Sequence, residues 1–424
     1  MLDMNYEGYA LENVPYYEQE KYWVSPMNFI PEAMDRSEIQ DKVLVHDVSL
    51  RDGEQTPGVA FTTEERIQLA QVLSELGVDR IEFGMPIAAK DIYEAFEEVL
   101  KMDLQAEIVS FCRAHPDDLD LTIKLGAKTA IIEHIVNPYM LKHVYNLDHK
   151  ATVERCAGAL KIAKNNGIKA SFMGWDASRT SMDYLKRLYS DILDQVEMES
   201  LIFVDTFGVM NPWSMHHTIK TVRNWFPGLK VEIHNHNGFG LGNANVMAAV
   251  LAGVSCVHGA ILGLGERDGN IPLDEIAMMM ALQLKKPTNI DLSQLYRVAK
   301  LAEQITGFKP SGTKPVTGDF YFQMEAGISI HAIEKARNAG LGDRVWAAFA
   351  PEMIGKKGYE YLLGKANGTA TIKLFMEKLG LEAGDDDMKE ILQIVKDRSN
   401  LVKGNVSEVE FEHIAKKYLE SKSK

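Results

Sequence analysis

The chain has 424 residues, 46% hydrophobic and 25% charged, as expected of a globular protein with room for a large core. A formal net charge of −14 argues against a nucleic-acid partner or an anionic membrane surface, and the start "MLDMNYEGYALENVPYYEQEK" lacks the basic end and apolar run of a secretory signal. Three cysteines (Cys112, Cys156, Cys256) without CxxC spacing argue against a disulfide framework or a cysteine-built zinc site and favour a reducing, cytoplasmic setting.

Residues 1–40 hold five tyrosines and one tryptophan, read either as a surface for a subunit partner or as a strap over the domain that follows. From residue 43 one unit recurs, a short apolar run followed by an amphipathic stretch. The runs are "VLVHDV" (43–48), "RIEFG" (80–84), "AEIVSF" (106–111), "TAIIEHIV" (129–136), "IKASFM" (168–173), "LIFVDT" (201–206), "KVEIHNH" (230–236) and "CVHGAIL" (256–262). Between them, "TEERIQLAQVLSELG", "HKATVERCAGALKIAKNNG" and "GNANVMAAVLAG" carry helical periodicity and close on glycine, and Thr62 and Thr63 suit a helix N-cap. Residues 245–265 are nearly apolar over a membrane-span length, but Gly253, Gly259 and His258 inside them favour a buried helix running into a buried strand.

Eight strand–helix alternations with strands too apolar for a half-exposed sheet predict a (β/α)8 TIM barrel over 41–288, followed by a linker and a mostly helical subdomain over 289–424. A doubly wound open sheet is the alternative, but "SLRDGEQTPG" after the first strand is not a glycine-rich phosphate turn.

In such a barrel chemistry sits at the C-terminal ends of the strands. Strand one ends in Arg51 and Asp52, strand two carries Glu82, strand three ends in Arg113, and strand four carries Glu133 and His134. Strand six ends in Asp205 and Thr206, strand seven in His234 and His236, and strand eight leads into "GLGERDGN" with Asn270. Two residues apart on a strand, His234 and His236 share a face. With Asp52 across the mouth and an oxygen from Asn270, they can form a divalent-metal site; the bland alternative is a hydrogen-bonded pair of core histidines. Arg51 can then grip a carboxylate or enolate, steadied by Glu82, unless the two are a surface ion pair.

The motifs "LRDGEQTPG", "IEFGMP", "WDASRT", "VDTFGVMNP", "HNHNGFGLGNAN" and "GLGERDGN" over residues 43–285 resemble the metal-dependent barrel family of 2-isopropylmalate, homocitrate, citramalate and Re-type citrate synthases and hydroxymethylglutaryl-CoA lyase. "KPVTGDFYFQMEAGI" and "LLGKANG" echo the synthases' post-barrel subdomain, and the last barrel loop lacks the lyase's cysteine, so the synthase branch is favoured. The resemblance implies Asp52, His234 and His236 as metal ligands (Mg, Mn, Co or Zn), with Asn270 direct or through water. It implies Arg51 as catalytic, supported by Glu82, Thr206 as a contact to the 2-oxo acid, Gln55 in the same pocket, acetyl-CoA as co-substrate, and a homodimer. The long regulatory domain of isopropylmalate synthases, and leucine inhibition through it, are not expected.

Departures from the pattern matter equally. The synthases have glutamate where Trp175 stands and histidine where Ser329 stands, the pair thought to deprotonate the acetyl-CoA methyl; "LGKHSG" appears as "LGKANG", and the fourth-strand loop reads "VNPYMLKHVY". The acceptor pocket, with Arg113, His134 and Trp175 as substrate-contact candidates, is therefore rebuilt, and His331 is a substitute base. The function expected is a Claisen condensation of an acyl-CoA with a small 2-oxo acid. The alternatives are a CoA-independent lyase, aldolase or decarboxylase, or a non-catalytic carboxylate-binding paralogue.

Overall fold

The computed structural model describes residues 5–6 and 9–422, so the first residues of the aromatic extension lie partly outside the described ones. Eight parallel strands close into a barrel: β1 Leu44–Asp47, β2 Arg80–Gly84, β3 Glu107–Arg113, β4 Thr129–Ile135, β5 Lys169–Trp175, β6 Ser200–Asp205, β7 Lys230–Asn235 and β8 Cys256–Gly259. Closure comes from β8 pairing with β1, Val257 opposite Val45 and His258 opposite His46. Helices fill the connections as the periodicity predicts. Helix Thr63–Leu76 starts at a Thr62–Glu65 capping box, in which each side chain accepts from the other's backbone N–H, and stops at Gly77 in the left-handed conformation. The apolar stretch 245–265 divides as expected into helix Gly242–Leu251, a break at Gly253 and strand β8. The last apolar run ends earlier than its hydrophobicity suggests: Leu262 takes a positive φ within a 3-10 turn, Ile261–Gly263, which aims the following loop back over the barrel. Among the described residues no helix is long and apolar enough to cross a membrane.

The chain divides into two compact units, Ile30–Pro310 and Met1–Phe29 with Ser311–Lys424. The barrel unit includes helix Leu295–Thr306, beyond the last strand, and Asp291 N–H donates to Leu76 O at 2.8 Å. In the other unit the N-terminal aromatics meet C-terminal residues. Trp23 N–H donates to Ala348 O at 2.9 Å, and buried Arg344 donates to the Tyr17 hydroxyl. Its helices Thr369–Lys378, Asp385–Val402 and Glu408–Lys422 pack around Ile372, Phe375, Ile391, Val395 and Phe411.

The barrel interior is divided by chemistry. On β3 to β6 the inward residues are apolar, with Val109, Phe111, Ile131, Met173, Ile202 and Val204 in one cluster. On β7, β8, β1 and β2 they are Glu232, His234, Cys256, His258, His46, Arg80 and Glu82, all buried. At the bottom of this half Arg80 forms a two-pronged pair with Glu232, which also accepts from Ser200 Oγ at 2.6 Å and His258 Nε2 at 3.0 Å. His258 stacks on His46 with ring centroids 4.2 Å apart, and His46 Nε2 donates to Glu82 Oε2 at 2.9 Å. A polar column thus runs from the barrel floor to the strand ends.

Candidate active site

The loop after β1 carries the charges noted in the sequence, and two of them anchor it. Glu54 accepts from fully buried Arg66 at 2.5 Å and from Phe61 N–H at 3.2 Å, while Arg66 also donates to Leu50 O and Phe83 O. Asp47 accepts from Ser49 N–H and Oγ, and Ser49 Oγ takes the Ile261 N–H at 2.8 Å, tying the end of β1 to the loop after β8. Burial raises the Asp47 carboxyl to about 7 despite these hydrogen bonds.

With the loop held, Asp52 points into the barrel mouth. Its Oδ1 accepts from Glu266 N–H (3.2 Å) and Asn270 Nδ2 (3.1 Å), leaving Oδ2 facing His234 Nε2 at 3.5 Å and His236 Nε2 at 3.8 Å. Donor atoms of these three buried residues all lie within 4.8 Å of one another. Gly265 makes the approach possible: a Cβ there would stand 2.3 Å from Asn270 Nδ2 and 3.0 Å from Asp52 Oδ1. Burial works against ionisation of Asp52, but Arg51 and His234 outweigh it and hold the carboxyl well below its usual range. Burial and the neighbouring His234 push His236 down to about 3, so its imidazole is neutral with a lone pair to give. Two imidazoles and one oriented carboxylate fit a divalent cation with positions open to water or substrate.

Arg51 lies beside this cluster. Its Nε donates to Glu82 Oε1, its Nη1 donates to Asp52 Oδ2 at 2.8 Å, and its guanidinium covers the Phe111 ring at 4.2 Å. Its Nη2 is buried with no partner. Glu82 is fully buried, and Arg51 and the His46 hydrogen bond overcome that burial to hold its carboxyl at about 2.

The remaining candidates are dispersed. Buried Thr206 follows β6, where its Oγ1 accepts from Asp176 N–H at 2.8 Å. Trp175 ends β5 edge-on to Phe207, with centroids 5.7 Å apart. Arg113, His134 and Trp175 do share a wall: with Glu133, Tyr145 and Arg155 they line a cavity of about 390 Å³. Arg113 is already engaged there with both oxygens of Asp118, at 2.9 and 3.0 Å, and His134 Nδ1 donates to Ile135 O at 2.7 Å. Gln55 sits exposed in the 3-10 turn after Asp52. Asn270 meets Asp52 through its amide nitrogen, as a donor orienting the carboxylate. His331 is an exposed residue of helix Gly327–Asn338 in the other unit. Sequence reasoning assigned no role to His46, Arg80, Glu232 and His258; the available signal was that each sits two residues from another interior position, within runs otherwise read as apolar.

Fold and cluster together define a (β/α)8 barrel with a cation-ready mouth. Residues 42–302 match the HMGL-like family, and residues 316–403 match the family described as homocitrate synthase post-HMGL domain-like. The chain belongs to the HMGL-like family. It is 31% identical over 378 residues to the homocitrate synthase AksA of Methanothermobacter thermautotrophicus, covering 89% of this chain and 93% of that one. It is 34% identical over 361 residues to the 2-isopropylmalate synthase of Methanocaldococcus jannaschii, covering 85% of this chain and 68% of that one. Among solved structures, the HMG-CoA lyase of Bacillus subtilis matches with a TM-score of 0.59 at 20% identity, over 66% of this chain and 99% of that chain, which shows the shared barrel.

Proposed function

We propose that this protein is a carbon–carbon bond-forming synthase that condenses an acyl-CoA, acetyl-CoA in the simplest case, with a 2-oxo acid, using a divalent cation held by Asp52, His234 and His236. Relatives named as homocitrate and 2-isopropylmalate synthases over most of the chain support this reading. The observation that carries it is Arg51, its side chain largely buried beside the three donors, fixed by two carboxylates and left with one unpartnered nitrogen, Nη2.

When bound, Mg, Mn, Co or Zn supplies Lewis-acid polarisation of a keto carbonyl. The chain's own groups do the rest. Arg51 Nη2 donates to oxygen charge that develops as the new bond forms, its guanidinium held against the Phe111 ring. Glu82 keeps Arg51 from swinging away, and His46 keeps Glu82 in place. Thr206, whose oxygen is taken by Asp176 N–H, has its own O–H left to hold a substrate carboxylate.

The test is CoA thiol release by metal-loaded protein with acetyl-CoA and, separately, pyruvate, oxaloacetate, 2-oxoglutarate and 3-methyl-2-oxobutanoate. Thiol release with at least one acceptor supports the reading, and silence across the panel with metal content verified overturns it. Trp175, which stands at the end of β5 where the synthases resembled carry glutamate, favours a second reading: CoA-independent cleavage of a 2-hydroxy acid through the same site. Release of a 2-oxo acid from 2-hydroxy acids without CoA would select it.

A further inference from the structure

A condensation of this kind needs a base to take a proton from the carbon that becomes the nucleophile, and that base needs an uncommitted acceptor facing the site. The carboxylates around the barrel mouth are largely engaged. Asp52 and Glu82 hold Arg51, Asp118 holds Arg113, and Asp176 takes two donors of Arg179 at 2.7 Å each. Asp205 accepts from Val209 and Met210 N–H, and Glu266 pairs with Arg267 at 2.5 Å. Glu133 differs: among the described residues its carboxylate makes no hydrogen bond or ion pair.

Its placement follows from the strand. Ile131, two residues earlier on β4, belongs to the interior cluster with Phe111 and Met173, so Glu133 is on the same inward face one step nearer the mouth. In register it lies opposite Arg113 on β3 and Met173 on β5. It lines the cavity of about 390 Å³ together with Trp175 and His134. We propose that Glu133 is the catalytic base that deprotonates the methyl carbon of the thioester; this rests on the synthase reading above.

The step balances without any further co-reactant. A Glu133 carboxylate oxygen takes a proton from the carbon next to the thioester carbonyl. The freed electron pair forms the new bond to the keto carbon of the 2-oxo acid, and that carbonyl's π pair becomes an alkoxide. The alkoxide takes a proton from solvent, Glu133 returns its own to solvent, and water hydrolyses the thioester to a carboxylate and free CoA thiol. Charged groups surround Glu133: Arg113 and Arg155 line the same cavity, and Arg51, Glu82, Asp52 and Glu266 act on its carboxyl. Burial raises its carboxyl first, Arg51 lowers it, and Glu82, Asp52 and Glu266 raise it again, to about 7, near the point where a base works best at neutral pH.

The experiment compares wild type, Glu133→Gln and Glu133→Asp, using the acceptor that turns over in the thiol-release panel. Expected for Glu133→Gln is a kcat loss of roughly 10²- to 10⁴-fold, with the acceptor's calorimetric Kd within threefold of wild type. Glu133→Asp is expected to retain intermediate activity and, with trideuteroacetyl-CoA, to show a larger isotope effect on kcat than wild type. A Glu133→Gln kcat within threefold of wild type, or a kcat loss matched by loss of acceptor binding, overturns the proposal. Should Glu133→Gln not fold, Glu133→Asp decides: unchanged kcat and isotope effect overturn it. Silence of the wild type defeats the synthase reading itself and the base assignment with it, an outcome distinct from failure in the variants alone.

Discussion

Glu82→Gln isolates what one buried charge contributes, because glutamine keeps the shape and an acceptor oxygen while removing the ionisation. Glu82 is fully buried with two firm partners, Arg51 Nε and His46 Nε2. Burial alone would raise its carboxyl; Arg51 and His46 overcome it and bring 4.5 down to about 2. Through linkage that gap corresponds to about 3 kcal/mol of stability at pH 7, in line with the roughly 3–5 kcal/mol lost when one partner of a buried pair is removed. A depressed carboxyl stabilises the fold fully above its unfolded value, and the gain disappears as pH falls through the folded one. The contribution is therefore about 2 kcal/mol at pH 3.5 and close to nothing below pH 2. Urea unfolding of metal-free wild type and Glu82→Gln, followed by tryptophan fluorescence at pH 7 and pH 3.5, measures the gap directly. We expect the variant to be less stable by about 3 kcal/mol at pH 7, with the difference narrowing at pH 3.5. A difference under about 1 kcal/mol at pH 7, or one that stays constant or widens on acidification, would refute the argument that Arg51 and His46 hold this charge in place.

Two further outcomes follow from the same geometry. Asp52→Asn and His234→Ala are each expected to weaken divalent-metal binding at least tenfold, read as metal per chain by mass spectrometry after dialysis; wild-type loading in both would remove these residues as ligands. Gly265→Ala places a methyl 2.3 Å from Asn270 Nδ2, so it should lower stability by about 1–3 kcal/mol and release metal more readily. An unchanged melting temperature and metal content would show that the loop is softer than its contacts imply.

Much of the barrel could be read from the sequence because its signal is local. "RIEFG" is β2 residue for residue, and the helix Thr63–Leu76 begins where Thr62 can cap it. The convergence of Asp52 with His234 and His236 was legible for a related reason: residues two apart on a strand share a face, and barrel closure brings strand one near strand seven. The polar half of the interior was not legible. His46, Arg80, Glu232 and His258 read as isolated intrusions into apolar runs, because the contacts that make them compatible exist only after β8 closes onto β1. His258 then lies opposite His46, and His46 opposite Arg80. Arg113 shows the converse problem. A cation at a strand end reads as a substrate grip, yet Asp118 in the first turn of the next helix, Pro116–Leu125, satisfies it locally.

That polar half has an electrostatic logic that bears on what the mouth receives. Burial keeps His46, His258 and His236 below their usual titration range, so they enter the balance as neutral hydrogen-bonding groups. The charges on the column are the guanidiniums of Arg80 and Arg51 against the carboxylates of Glu232, Glu82 and Asp52. Two positive groups facing three negative ones leave one buried negative charge, which is costly in a weakly polarisable interior. A dication held at Asp52, as the proposed function requires, would reverse that excess to one positive charge. Burial is the first cause that raises the Glu133 carboxyl, to about 7; Arg51 opposes it, and the carboxylates of Glu82, Asp52 and Glu266 add to it.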